Sequence, residues 1–172
     1  VLHAQQAEYR RRKLAGEIGE ADAIVMLTHV AHAGSLAKVE TAVELGEEIL
    51  SQGGQVVLVV RFLDSAGEVA KALGAGRITG EEDAKARQAA IDSFQAGTLR
   101  AMVCTLGAGN VGINLTPAAY AILVDRPWTP GDAEQAEARI NRIGQTMPVT
   151  CIWLQAGAAD VAIDALLEQK AE

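Results

Sequence analysis

Aromatic side chains are scarce in this sequence, with two Trp, two Tyr and two Phe among 172 residues. With 49% of residues apolar, the core must then be aliphatic and rich in alanine, a mix common in α/β layers. Cysteine is scarce too. Cys104 and Cys151 each sit in an apolar β-like run, where thiols usually pack as buried small hydrophobes in a reduced compartment. His3, His29 and His32 are the only histidines, and no zinc-ligand spacing arises from them; no metal ligand is expected. Long hydrophobic runs are missing: nothing approaches the ~20 residues of a membrane span, and the N-terminal stretch has no signal-peptide core. A soluble, intracellular chain with no membrane partner is expected. Basic excess is absent as well. The net charge is −7 and the pI about 5.0, whereas a free-standing nucleic-acid binder usually reads basic. The balance therefore speaks against strong DNA affinity of the isolated chain.

What is present is an alternation. The length suits one compact domain better than two, and a start at Val1 rather than Met suggests a piece of a longer chain. Val56–Val60 is a continuous apolar run, the pattern of a strand buried on both faces. Asp64 or Ser65 can cap a helix to about Leu73, and Gly74–Gly76 ends it. Arg77–Thr79 is a short strand candidate. Gly80 and the acidic Glu81-Glu82-Asp83 open a helix to about Phe94, with negative charge at the favourable dipole end. Further strands are expected at Ala101–Cys104, Tyr120–Val124 and Val149–Leu154, with helices at roughly 132–141 and 160–169. Alternating units at this spacing predict an α/β fold, a mostly parallel sheet with helices on both faces. Residues 1–54 read instead as flanking helices packed on a 55–172 core, with a basic stretch Arg10–Lys13 and a helix from Ser35 to about Leu50.

Gly107-Ala108-Gly109-Asn110-Val111-Gly112 matches the dinucleotide-binding pattern G-x-G-x-x-G, and Asp125 closes the next strand where a ribose-binding acid would be sought. Space argues against that function. A crossover needs at least ~10–12 residues including its helix, and the glycines must open that helix. Only Ile113 to Ala118 separate Gly112 from the next strand, with Pro117 among them. A tight glycine turn is the better reading.

Gln135, Arg139 and Arg142 are spaced by four and then three, which puts them on one helix face. Two arginines one turn apart form a fork for an anion, because guanidinium is planar, always charged and able to bond phosphate bidentately. An isolated pair is more often solvated or salt-bridged, here to Glu134 or Glu137. The neighbouring residues reverse those odds. Gln135-Ala136-Glu137-Ala138-Arg139-Ile140-Asn141-Arg142-Ile143-Gly144-Gln145 closely resembles the last helicase motif of the Swi/Snf family, Q-A-x-D-R-x-H-R-I-G-Q. Trp128-Thr129-Pro130 resembles its W-N-P element and Gly112-Ile113-Asn114-Leu115 its G-I-N-L segment. Val56 to Phe62 is similar to the strand that opens the family's second lobe, and Gly80, Arg87 and Phe94 fit its G…R…F helix. The resemblance spans about Lys38 to Leu154, and four motifs fall in the right order. Ala108 to Asn110 look closer to the annealing-helicase branch than to nucleosome remodellers.

The resemblance implies a RecA-like helicase C-terminal lobe. Arg139 and Arg142 would be the arginines that reach the γ-phosphate of ATP held by a first lobe, with Gln135 beside them. Gly112 would approach the nucleotide by its backbone, Asn114 would bond the ribose, and Thr105 and Gly107 would lie near the DNA backbone. ATP with magnesium would be the cofactor. Double-stranded DNA and an N-terminal ATPase lobe of the same polypeptide would be the partners. Three departures touch the bracing of the arginine fork and the relay to DNA: Ala138 replaces the family's acid, Asn141 its histidine, and Thr105 sits one place before the usual threonine, which is Leu106 here. The sequence holds no G-x-x-x-x-G-K-[ST] loop, no Gly-Lys dipeptide and no D-E-x-H box, so nothing in it cradles the β- and γ-phosphates or positions the metal. No ATP hydrolysis is expected from this chain alone. A non-catalytic scaffold of the same fold, which would have no need of both arginines, and an RNA helicase lobe, which the Trp128–Pro130 element disfavours, are the alternatives.

Overall fold

Five short strands built from these apolar runs join into one sheet. The computed structural model of the protein describes residues 7–8, 11–12, 15–16, 20–107, 115–125, 148–157 and 160. Its elements run α1 (Glu20–Ser51), β1 (Val56–Val60), α2 (Leu63–Leu73), β2 (Gly76–Ile78), α3 (Ala84–Gln95), β3 (Ala101–Thr105), β4 (Tyr120–Leu123) and β5 (Thr150–Trp153). The strand order is β2-β3-β1-β4-β5, and every pairing among them is parallel. β1 lies at the centre, in register with β3 from Val56↔Ala101 to Val60↔Thr105 and with β4 from Val56↔Tyr120 to Val59↔Leu123.

Both faces of the sheet are covered, which is why the strands read as unbroken apolar runs rather than as alternation. On one face Val56, Leu58, Val60, Val103 and Ile122 pack against Ala42 and Ile49 of α1 and Ala66, Val69 and Ala70 of α2. On the other, Val57, Val59, Met102, Ala121 and Leu123 pack against Ile91 and Phe94 of α3. The direction of travel explains the split. From β1 the chain passes outward through α2 to β2, then returns inward through α3 to β3. With right-handed crossovers, opposite directions put the helices on opposite faces. Phe94, Leu58 and Met102 are each fully buried.

Chain punctuation sets the helix ends. Gly53 has φ 82°, Gly54 N–H reaches Ile49 C=O at 3.0 Å and Gly53 N–H reaches Leu50 C=O at 3.1 Å. This paired closure is the Schellman arrangement, and its left-handed residue favours glycine. Gly74, at φ 59°, ends α2 in the same way, with Ala75 N–H on Ala70 C=O at 2.9 Å. Asp83 caps α3 by accepting from Ala86 N–H at 2.7 Å. The cap of α2, in contrast, is Phe62, with no side-chain bond; Asp64 and Ser65 already lie inside the helix.

Two expectations need correction. The N-terminal helix begins at Glu20, not Ser35, and runs 32 residues through the buried Gly34. A helix-interior glycine costs about 1 kcal/mol against alanine, an amount that packing on the sheet readily offsets. Cys151 is exposed, unlike the buried Cys104. β5 lies at the edge of the sheet, so an apolar run there does not guarantee cover on both sides. The helices expected near 132–141 and 160–169 lie outside the described residues, apart from Asp160.

Candidate functional site

A parallel sheet brings the carboxyl ends of all its strands to one edge, where side chains from distant parts of the sequence converge. Here Arg61 follows β1, Leu106 and Gly107 follow β3, and Asp125 lies just past β4. The strand extensions stay paired at this edge: Leu106 N–H bonds Val60 C=O at 3.0 Å, Val124 N–H bonds Val59 C=O at 2.9 Å, and Leu154 N–H bonds Leu123 C=O at 3.0 Å. β3, which precedes the glycine-bearing segment 106–114, therefore flanks β1 on one side, and β4, which precedes segment 126–147, flanks it on the other.

The same edge holds a buried polar cluster. Lys38 of α1 is 3% exposed, Asp125 4% and Asp160 8%, while Ser35 and Ser65 are fully covered. The Lys38 ammonium lies 3.3 Å from Asp125 Oδ1 and 3.2 Å from Asp160 Oδ2. Asp125 Oδ2 accepts from Ser35 Oγ and from the Arg61 backbone N–H, each at 2.8 Å. Ser35 has one hydroxyl proton, so its 2.9 Å contact with Ser65 Oγ is a bond that Ser65 donates. Asp160 Oδ2 also accepts from Ala156 N–H at 2.7 Å. One lysine thus ties α1 to the ends of β1, β4 and the turn after β5.

A second polar group lies around the turn from β2 into α3. Glu82 Oε2 accepts from both Thr79 N–H and Thr79 Oγ1 at 2.6 Å, and Glu82 Oε1 accepts from Arg77 Nε at 2.8 Å. Partial burial alone would raise the Glu82 pKa. The Thr79 and Arg77 bonds outweigh it and hold the carboxyl at about 2. Arg87 Nη2 reaches back to the carbonyls of Thr79 and Glu82 at 3.4 and 3.3 Å, closing the turn. Arg87 and Phe94, matched to the family's helix in the sequence, are thus a turn clasp and a core anchor. Nearby on the α1–α2 surface, His32 Nε2 lies 2.5 Å from Asp64 Oδ2 and its ring sits 4.7 Å from Phe62. At Asp64 burial pushes the pKa up, but the bonds from His32 and from Ser65 N–H prevail and lower it.

Of the residues singled out in the sequence, Thr105 ends β3 and is 8% exposed. Gly107 is exposed two residues on, and a Cβ there would meet nothing within 4 Å. Gly112, Asn114, Gln135, Arg139 and Arg142 lie outside the described residues, as does Trp128. Asp125, weighed above as a ribose ligand, has both carboxyl oxygens engaged within the chain. That occupancy removes the acid a dinucleotide site requires. The Lys38 cluster was missed by sequence reasoning, although one signal was legible. Ser35, Lys38, Ala42 and Ile49 share the inner stripe of α1, so a lysine sat among buried positions.

The sheet and its two helical layers define a RecA-like α/β lobe. The helicase conserved C-terminal domain family matches residues 37–144. The chain belongs to that family, as a C-terminal lobe of the Swi/Snf type of superfamily 2 helicases. It is 38% identical over 98 residues to the SWI/SNF-related matrix-associated actin-dependent regulator of chromatin subfamily A-like protein 1 of Drosophila melanogaster, covering 56% of this chain and 13% of that protein. To the DNA repair protein RAD5 of Candida glabrata it is 34% identical over 155 residues, 82% of this chain and again 13% of the relative. The chain therefore spans only a small part of either. Among solved structures, the C-terminal part of the Fun30 ATPase domain superposes with TM-score 0.65 at 27% identity, over 76% of this chain and 45% of that one. The SWI2/SNF2 ATPase core domain of Sulfolobus solfataricus superposes with TM-score 0.74 over 98% of this chain and 41% of that one; at 24% identity it speaks for the fold.

Proposed function

We propose that this chain is the second motor lobe of an ATP-driven translocase on double-stranded DNA, supplying Arg139 and Arg142 to a nucleotide held mainly by an N-terminal lobe of the same polypeptide. The observation that carries the reading is topological. β3 and β4, the strands that precede segments 106–114 and 126–147 with the family's motifs, end at the same carboxyl edge on either side of the central strand. Such an edge is where α/β sheets bind nucleotides. Gly112, Asn114 and Gln135 would line the nucleotide from this side, and Thr105 and Gly107 would belong to the DNA track. Phosphate contacts of that kind position a duplex without reading its sequence.

Magnesium and the β- and γ-phosphates fall to the other lobe. Among the described residues, Asp125 and Asp160, two carboxyls at this edge, are already taken by Lys38 and by backbone N–H groups. Bound ATP would supply the phosphoryl group. This chain's part is to present cations to the charge that spreads over it in transit, an effect worth ~10³–10⁵ in rate.

The test is Arg142→Ala in the full-length protein. ATP binding should persist while DNA-stimulated hydrolysis falls by ~10³ or more. Hydrolysis at the normal rate would end the motor reading. The isolated chain should hydrolyse no ATP in a single-turnover assay, and arginine-dependent turnover there would contradict the division of labour between lobes.

A further inference from the structure

We propose that Lys38 is a positioning residue of the motor, fixing Asp125, the residue from which the arginine-bearing segment continues. The proposal rests on the reading of Arg139 and Arg142 given above. It starts from the choice of residue. Lys38 occupies the inner stripe of α1, between Ser35 and Ala42, at 3% exposure. Desolvating an ammonium and two carboxyls costs several kcal/mol per ion, and well-packed apolar side chains often serve stability as well or better. A role in fixing geometry would account for such a cluster.

What the cluster joins gives that role its content. Asp125 stands immediately before segment 126–147. Its two oxygens are pinned from three directions: by Lys38 Nζ at 3.3 Å, by Ser35 Oγ at 2.8 Å and by Arg61 N–H at 2.8 Å. A carboxyl held on both oxygens fixes the Asp125 side chain, and Asp125 is the last described residue before the arginine-bearing segment. Through Asp160, which accepts from Ala156 N–H, the same ammonium also holds the turn that follows β5. Lys38 thus holds the carboxyl ends of β4 and β5, the two strands that flank segment 126–147 in the sequence. Displacing a reacting group by about 1 Å can cost ~10²-fold in rate even when the change lies away from the chemistry.

The experiment uses the full-length, two-lobed protein with Lys38→Met, which keeps the unbranched stem and removes the charge. The expected result is a fall in kcat for DNA-stimulated hydrolysis of roughly 10- to 100-fold, with KM for ATP within about threefold. Affinity for ADP with aluminium fluoride, a mimic of the transferring phosphoryl, should fall by a similar factor while affinity for ADP alone holds. Partial unfolding of this lobe would leave ADP on the other lobe untouched, so it is read separately, as a loss of far-UV circular dichroism that the positioning role does not produce. On an Arg142→Lys background the Lys38→Met change should add little further loss, because both act on one element. Asp160→Asn, which is isosteric and leaves an acceptor for Lys38, should give the same pattern with about a 3- to 10-fold effect. A kcat within twofold of wild type in both variants, or losses that multiply fully with Arg142→Lys, would overturn the positioning role. Failure of the motor reading looks different, since Arg142→Ala would then hydrolyse normally. A collapse in Arg142→Ala beside intact Lys38→Met and Asp160→Asn sinks only the proposal for Lys38.

Discussion

The Lys38 cluster at the carboxyl edge and the Arg77–Glu82 group at the β2 turn are both networks of charged side chains, yet they do opposite work. The first joins residues up to 122 positions apart and is nearly dry. The second is confined to residues 77–87, and Arg77 is 36% exposed. Water screens the second, so its ion pairs contribute little beyond shaping a turn that the sequence already favours. The first has no water to fall back on. Losing one partner there leaves a charge without solvent or counter-ion, and the cost is large although the intact cluster need not stabilise much.

The largest test of that contrast is Lys38→Ala. It should lower unfolding stability by about 3–5 kcal/mol, read as a drop in urea midpoint. A loss under about 1 kcal/mol, the surface-pair range, would show that the cluster is wetter than its geometry says. Next comes Glu82→Gln, expected to cost about 1–2 kcal/mol through weakened bonds to Thr79 and Arg77. It also sharpens the comparison through pH. The folded carboxyl titrates at about 2 against an ordinary 4.5, so its stabilisation is fully present above pH 4.5 and is lost as pH falls toward 2. Stability measured between those values should fall less steeply in Glu82→Gln than in the parent; an unchanged acid limb would mean that Glu82 is not its source. Gly53→Ala, which forces a Cβ onto a φ of 82°, should cost about 1 kcal/mol in thermal unfolding. It sets the scale of a purely local backbone effect between the two networks. Smallest is Glu81→Gln. Its partner Arg77 also holds Glu82 at 2.7 Å, and an exposed pair of this kind is worth no more than about 0.5 kcal/mol. A double-mutant cycle on Arg77 and Glu81 giving well over 1 kcal/mol would erase the distinction drawn here.

The legible parts of this fold are those where local chemistry and tertiary context agree. Val56–Val60 reads as a two-sided buried strand because helices do cover both its faces. Gly53 and Gly74 mark helix ends because they take a left-handed backbone at the caps, a conformation that favours glycine. The acidic run Glu81–Asp83 does stand at the start of α3, although Asp83 is its cap and the helix itself begins at Ala84. Elsewhere local pattern misled. Cys151 sits in an apolar run on an edge strand, and a run of residues carries no mark of which strand will be central. The start of α1 reads from the sequence as Ser35, whereas the helix begins at Glu20 and continues through Gly34. Of the candidate site, the motifs were legible as residue types in order, and the edge from which their segments depart followed from the parallel topology. The Lys38 cluster was not, since Ser35 and Asp125 are 90 residues apart and nothing local links them.

By itself, the sequence determined the α/β alternation, the glycine that ends α2, the absence of a phosphate-binding loop and the arginine pair at helical spacing. These depend on side-chain chemistry and on spacings of three, four or two residues, which the chain carries along its length. Only the tertiary structure decided that β1 is central, that Asp125 serves Lys38 rather than a ribose, and that one buried ammonium clamps the ends of β4 and β5. Strand order and burial arise from contacts between remote segments. Their energies depend on which groups lose water together, and no single stretch of residues records that.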